Sequence, residues 1–67
     1  MSVLKVIEIM ANSPDSWEDA AQKAVDEASK SVKNIKSVWI KDQSCDVENG
    51  KVKEYRVNVK ITFEVEH

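Results

Sequence analysis

The sequence predicts an α+β domain of βαββ order, a three-stranded antiparallel sheet wrapped around one helix. Three observations predict it. Trp17, Ala20, Ala21, Ala24, Val25, Ala28 and Val32 recur at i, i+3, i+4 and i+7, the stripe of an amphipathic helix. Tyr55, Val57, Val59, Ile61, Phe63 and Val65 alternate with polar residues, the period of a strand. Asn49-Gly50 lies between two such runs, and a two-residue turn of that composition joins a hairpin, because both residues must take positive φ.

The first strand spans Ser2 to Met10. Val3, Leu4, Val6, Ile7, Ile9 and Met10 are apolar on both faces. One helix covers only one face, so the second apolar face implies more cover, from another subunit or from end effects. Ala11-Asn12-Ser13-Pro14 then breaks the strand. Ser16 is the expected N-cap, with Asp19 at the third helical position as a capping-box partner. Asp15, Glu18 and Asp19 favour the positive end of the helix dipole, and Lys30, Lys33 and Lys36 the negative end. From Ser16 to Lys33 such a helix runs about 26 Å at about 1.5 Å per residue. Asp26 and Lys30 are spaced as an i, i+4 ion pair on its solvent side.

Ile35 to Glu48 forms the second strand and Lys51 to Glu66 the third. A uniform register through the Asn49-Gly50 turn pairs Val38 with Ile61, Ile40 with Val59, Asp42 with Val57 and Ser44 with Tyr55 on the helix side. The opposite face pairs Ser37 with Thr62, Trp39 with Lys60, Lys41 with Asn58, Gln43 with Arg56, and Cys45 with Glu54. For all strands to run antiparallel the third must be central, giving the order 1-3-2. Both long edge strands are then open to pairing or coverage by other chains.

Composition narrows the function. A chain of 67 residues is one small domain, read here as spanning 1–67. A core of this size is marginal, so small folds recruit disulfides, metals or further subunits. One cysteine excludes an intramolecular disulfide, and one histidine, at the end of the chain, excludes a histidine-rich zinc centre. Self-association is the remaining route. The net charge of −2 and a single arginine give no basic surface for nucleic acid. There is no apolar run of membrane-spanning length and no signal-peptide pattern, and the free cysteine fits a reducing compartment, so a cytoplasmic protein is expected. Catalysis has no support: no internal histidine is present, and Cys45 has no recognisable base, so it reads as an ordinary strand cysteine.

Several segments resemble one family, the dodecins. They are Val3-x-Lys5-Val6-Ile7-Glu8, Ser13-Pro14-x-Ser16-Trp17-Glu18-Asp19-Ala20, Asn34-Ile35, Gly50-Lys51-Val52 and Tyr55-x-Val57. The resemblance implies a βαββ fold assembled as a hollow homododecamer, a small-molecule binding and sequestering protein rather than an enzyme, with a flavin, riboflavin or FMN, as the family ligand. It also implies a site on the outer face of the sheet. There a typical dodecin stacks a tryptophan on the flavin ring and hydrogen-bonds it through a glutamine. This chain carries Ser37 and Arg56 at those positions. Serine has no stacking surface, and a guanidinium only donates. Trp39, two residues beyond Ser37, is a relocated platform or an interface residue packed over Lys60. Gln43, paired with Arg56 in the uniform register, completes the candidate set Ser37, Trp39, Arg56 and Gln43. Dodecin-like chains without the tryptophan are linked to calcium, which makes a divalent-cation shell the alternative. Asp42, Asp46, Glu48, Glu54, Glu64 and Glu66 offer oxygen donors, spaced by two along strands and not as in an EF-hand. A solvated acidic face is the other reading of those carboxylates.

Overall fold

The computed structural model describes residues 3–65. Its order is β1 (Val3–Ser13), α1 (Trp17–Ala28), β2 (Ile35–Glu48) and β3 (Lys51–Val65). The strands form one antiparallel sheet in the order β1-β3-β2, as expected. Strand β1 runs three residues further than anticipated, to Ser13 paired with Tyr55. Ser2 and Glu66, assigned to strands from sequence, lie outside the described residues.

The helix start follows the sequence with one change. The Ser16 hydroxyl accepts from the Asp19 amide at 2.9 Å, as an N-cap does. The Asp19 carboxylate accepts instead from the Ser13 hydroxyl at 2.6 Å. That hydroxyl also accepts from the Asp15 amide at 2.9 Å, and Ser13 is fully buried. One side chain at the end of β1 thus locks the strand-to-helix turn.

The helix ends at Ala28, five residues before Lys33. The Ser29 hydroxyl donates back to the Val25 carbonyl at 2.8 Å, a bond that competes with continued helix. Asn34 then reverses the chain with a φ of 61°. Lys30, Lys33 and Lys36 therefore lie beyond the last turn, which itself holds no basic residue. The expected Asp26–Lys30 pair is also absent: Lys30 meets Glu27 at 3.0 Å, and Asp26 accepts from Gln22.

Ala20, Ala24 and Ala28 pack directly on Val57, Val59 and Ile61, and these six residues are the buried core. Alanine lets the helix sit close, and each covered valine or isoleucine contributes about 1.5–3 kcal/mol by burial. The helix lies over β1 and β3 and barely reaches β2, so Val38 and Ile40 remain over a third exposed on the helix side.

Asn49 and Gly50 take φ of 53° and 75°, a primed two-residue turn. The uniform register it sets holds from Ser37 to Ile40 and again at Val47 and Glu48. Between them it fails. Lys41 is an extra residue on β2 and Lys53 one on β3, so Asp42–Asp46 pair one step out of phase. Asp42 faces Asn58 instead of Val57, Gln43 faces Val57 instead of Arg56, Ser44 faces Arg56, and Cys45 faces Tyr55.

Hydrogen bonding to Ser13 holds the Asp19 carboxyl below the usual carboxylate range. A carboxyl with a lowered folded pKa stabilises the fold above its unfolded pKa, and this contribution is lost as pH falls through the folded value. Replacing Ser13 by alanine should remove about 1–3 kcal/mol. Thermal melts between about pH 7 and pH 3 should also show less acid sensitivity in Ser13→Ala than in the parent chain.

Candidate functional site

The sheet face opposite the helix is the candidate site. Because opposed residues in an antiparallel pair share a face, the register assigns its rungs. They are Leu4 with Glu64; Val6, Thr62 and Ser37; Glu8, Lys60 and Trp39; Met10, Asn58 and Asp42; Asn12, Arg56 and Ser44; and Glu54 with Asp46. Three of the four sequence candidates, Ser37, Trp39 and Arg56, stand here. Gln43 does not. The Lys41 bulge turns it to the helix side, opposite the buried Val57.

Apolar groups on this face are bare. Leu4 and Val6 are each 56% exposed, Trp39 61% and Met10 65%. The Lys60 ammonium lies 5.3 Å from the centroid of the Trp39 ring, a cation–π contact that occupies one side of the indole. Trp17, by contrast, is a packing residue. It stacks edge-on against Tyr55 at 5.1 Å and donates its indole N–H to the Ser44 carbonyl at 3.0 Å.

The charges of the face are largely paired. Glu8 meets the Lys41 ammonium at 3.5 Å, and a hydrogen bond from Asn58, reinforced by Lys41, lowers its pKa. Arg56 reaches across all three strands. Its Nη2 donates to Asp46 Oδ2 at 2.8 Å and its Nε to Asn12 Oδ1 at 2.9 Å. The Asn12 amide in turn donates to Glu54 Oε2 at 3.0 Å. Two groups remain outside this pairing. Asp42 is exposed and forms no ion pair among the described residues. The Oδ1 of Asn58, opposite Asp42, is buried without a hydrogen-bond partner.

Asn12 was not singled out by sequence, and Asp46 was named only among the acidic oxygen donors. Its place beside Arg56 becomes visible only once the register is shifted. The available signal was that a uniform register puts Asp42 and Ser44 on the helix side among buried valines, a costly placement for polar groups.

The described residues of one chain contain no cluster of three or more His, Cys, Asp or Glu able to hold a metal. Two open hollows of a single chain lie at the hairpin, by Glu48 and Val52, and under the helix end, by Lys5 and Phe63. Neither includes Ser37, Trp39, Gln43 or Arg56. No described helix is long and apolar enough to cross a membrane.

A βαββ unit with one short helix and a bare second sheet face defines a class of small proteins that is incomplete as a single copy. The dodecin family model matches residues 3–66, and the chain belongs to the dodecin family. A calcium dodecin of Mycobacterium tuberculosis is 38% identical over 65 residues, covering 97% of this chain and 92% of its own. The crystal structure of that protein, described as calcium-chelating with a calcium-binding site, superposes with a TM-score of 0.82 at 39% identity, covering 97% of this chain and 93% of that chain. A point variant of the dodecin of Thermus thermophilus superposes with a TM-score of 0.93 at 27% identity over 100% of both chains. The dodecin of Streptomyces coelicolor gives 0.92 at 26% identity, covering 98% of this chain and 94% of that chain.

The Arg56–Asp46 pair is partly solvated, with side chains 37% and 40% exposed, so it stabilises modestly. A double-mutant cycle of Arg56→Ala and Asp46→Ala should give a coupling of about 0.5–1 kcal/mol, at the upper end for a surface pair because Asn12 orients the guanidinium.

Proposed function

We propose that this chain forms a closed homododecameric shell that binds and sequesters a divalent cation, calcium, at junctions between copies, and that it is not a flavin carrier. The observation that carries the reading is the state of Arg56. Both of its described hydrogen bonds go to neighbours on its own sheet, Asp46 and Asn12, and Ser37, three rungs away on the same face, presents no aromatic surface. A planar ring ligand would find two of the guanidinium's five N–H donors turned to the chain's own side chains, and no aromatic surface at Ser37.

Assembly is supported by the bare apolar face and by shape. The chain measures 51 × 19 × 13 Å with a radius of gyration of 13.7 Å. A compact domain of this length has a radius of about 11 Å. A long thin unit with an exposed apolar sheet face buries that face against copies of itself. Calcium is supported by the relative of M. tuberculosis and by donor chemistry: Asp42 and the Asn58 carbonyl, face to face, are hard oxygens of the type calcium takes. Since one chain supplies too few donors, carboxylates from neighbouring copies complete the site.

Flavin binding at Trp39 is the second reading. Its supporting observation is the ring's 61% exposure, with Lys60 over one side only. The two readings separate cleanly. Titrating riboflavin or FMN with micromolar protein should leave flavin fluorescence unquenched; strong quenching would make the second reading the better one. The melting temperature should rise with calcium and fall with EDTA, and a melt indifferent to both would remove the cation reading. Light scattering should report roughly twelve times the 7.6 kDa chain, and a monomer would remove the shell.

A further inference from the structure

Two bulges bracket one window of the β2–β3 ladder. Lys41 is extra on β2 and Lys53 on β3, and between them Asp42–Asp46 pair one step away from the register set by the turn. Outside the window the turn register holds from Ser37 to Ile40 and at Val47 and Glu48, with a further irregularity between Ile35 and Ser37. Each bulge leaves a residue unpaired in the ladder, so something inside the window must favour the shifted pairing. In the uniform register Gln43 and Cys45 would share the outer face with Arg56, and Asp46 would turn away to the helix side. In the shifted register Asp46 stands on Arg56's face and takes its Nη2 at 2.8 Å, while Asn12 on β1 holds Nε at 2.9 Å.

We propose that Arg56 is a positioning residue: anchored on Asn12, it pulls Asp46 to the outer face and so holds the bulged register of Asp42–Asp46. It thereby decides that Asp42, Ser44 and Asp46, and not Gln43 and Cys45, stand on the face through which copies meet. The significance of that choice rests on the reading of the outer face as the intersubunit and ligand face. The register itself does not.

Cysteine crosslinking within one chain reads the register directly. The chain has a single cysteine, Cys45. In the observed pairing Cys45 lies opposite Tyr55, and Glu54 is on the other face. Only side chains on one face, with opposed Cβ atoms, can form a disulfide. Tyr55→Cys should therefore crosslink to Cys45 on mild oxidation, and Glu54→Cys should not, read by mass spectrometry of the denatured single chain. Adding Arg56→Ala or Asp46→Ala should reverse the preference. Trp17→Phe, which removes a different tie to this window, the indole bond to the Ser44 carbonyl, should leave it unchanged. The proposal is overturned by an unchanged preference in both the Arg56→Ala and Asp46→Ala backgrounds, by reversal with Trp17→Phe, or by loss of both crosslinks, since a positioning residue predicts a second register and not a melted hairpin. The readout needs neither calcium nor assembly, so its failure is distinguishable from failure of the calcium or shell reading.

Discussion

Everything in this fold depends on the close approach of three alanines to the middle of one strand. Ala20, Ala24 and Ala28 sit on Val57, Val59 and Ile61, with Trp17 and Val25 of the helix packed at the margin of that contact. Such contact is tight but short. Twelve helical residues span about 18 Å, against a sheet whose central strand has 15 residues. The helix therefore seals the crossing of β1 and β3 and leaves the ends, most of β2 and the whole opposite face without cover. Adding a larger residue to the stripe would widen coverage only by lifting the helix off β3. The exposed apolar face is thus a direct consequence of how the core is made, and association between copies is the remedy the fold itself calls for.

Much of this was legible because local signals agreed with one another. Ser16 names the start of the helix, Asn49-Gly50 names the turn, and the clean alternation from Tyr55 to Val65 marks the strand that must be central. The misreadings have a common physical origin: each turned on backbone or pairing geometry that the apolar pattern does not record. The helix stops at Ala28 because the Ser29 hydroxyl bonds back to Val25 and Asn34 accepts a left-handed conformation, whereas the apolar stripe runs on to Val32. The hairpin register slips at Lys41 and Lys53, residues with no glycine or proline to mark a bulge. That slip removed Gln43 from the candidate site and placed Asp46 beside Arg56, so a one-residue shift in pairing changed which β2 side chains the face presents.

Membership of the dodecin family accounts for the fold and for the need for partners, but the face that distinguishes members is set by few residues. Here the position that would hold an aromatic platform is Ser37, and the central polar position is an arginine tied to both flanking strands. The indole that remains, Trp39, is shared with the Lys60 ammonium. These features form one internally consistent surface, in which cations of the chain answer its own carboxylates and aromatic ring.

That consistency matters because the proposed assembly would desolvate the face. A charge moved from water into an interface is costly unless it is paired first. Glu8 enters with Lys41, and Asp46 enters with Arg56, so these pairs carry their compensation with them. Asp42 and the Asn58 carbonyl do not. The amide oxygen is already buried without a partner in the single chain, and a carboxylate enclosed beside it would add a second uncompensated acceptor. Both groups accept and neither donates there, so a second copy presenting the same two groups could not satisfy them. A cation can. On the proposed reading, the cost of leaving those oxygens unmet in an interface between copies is what a divalent ion at this rung would relieve.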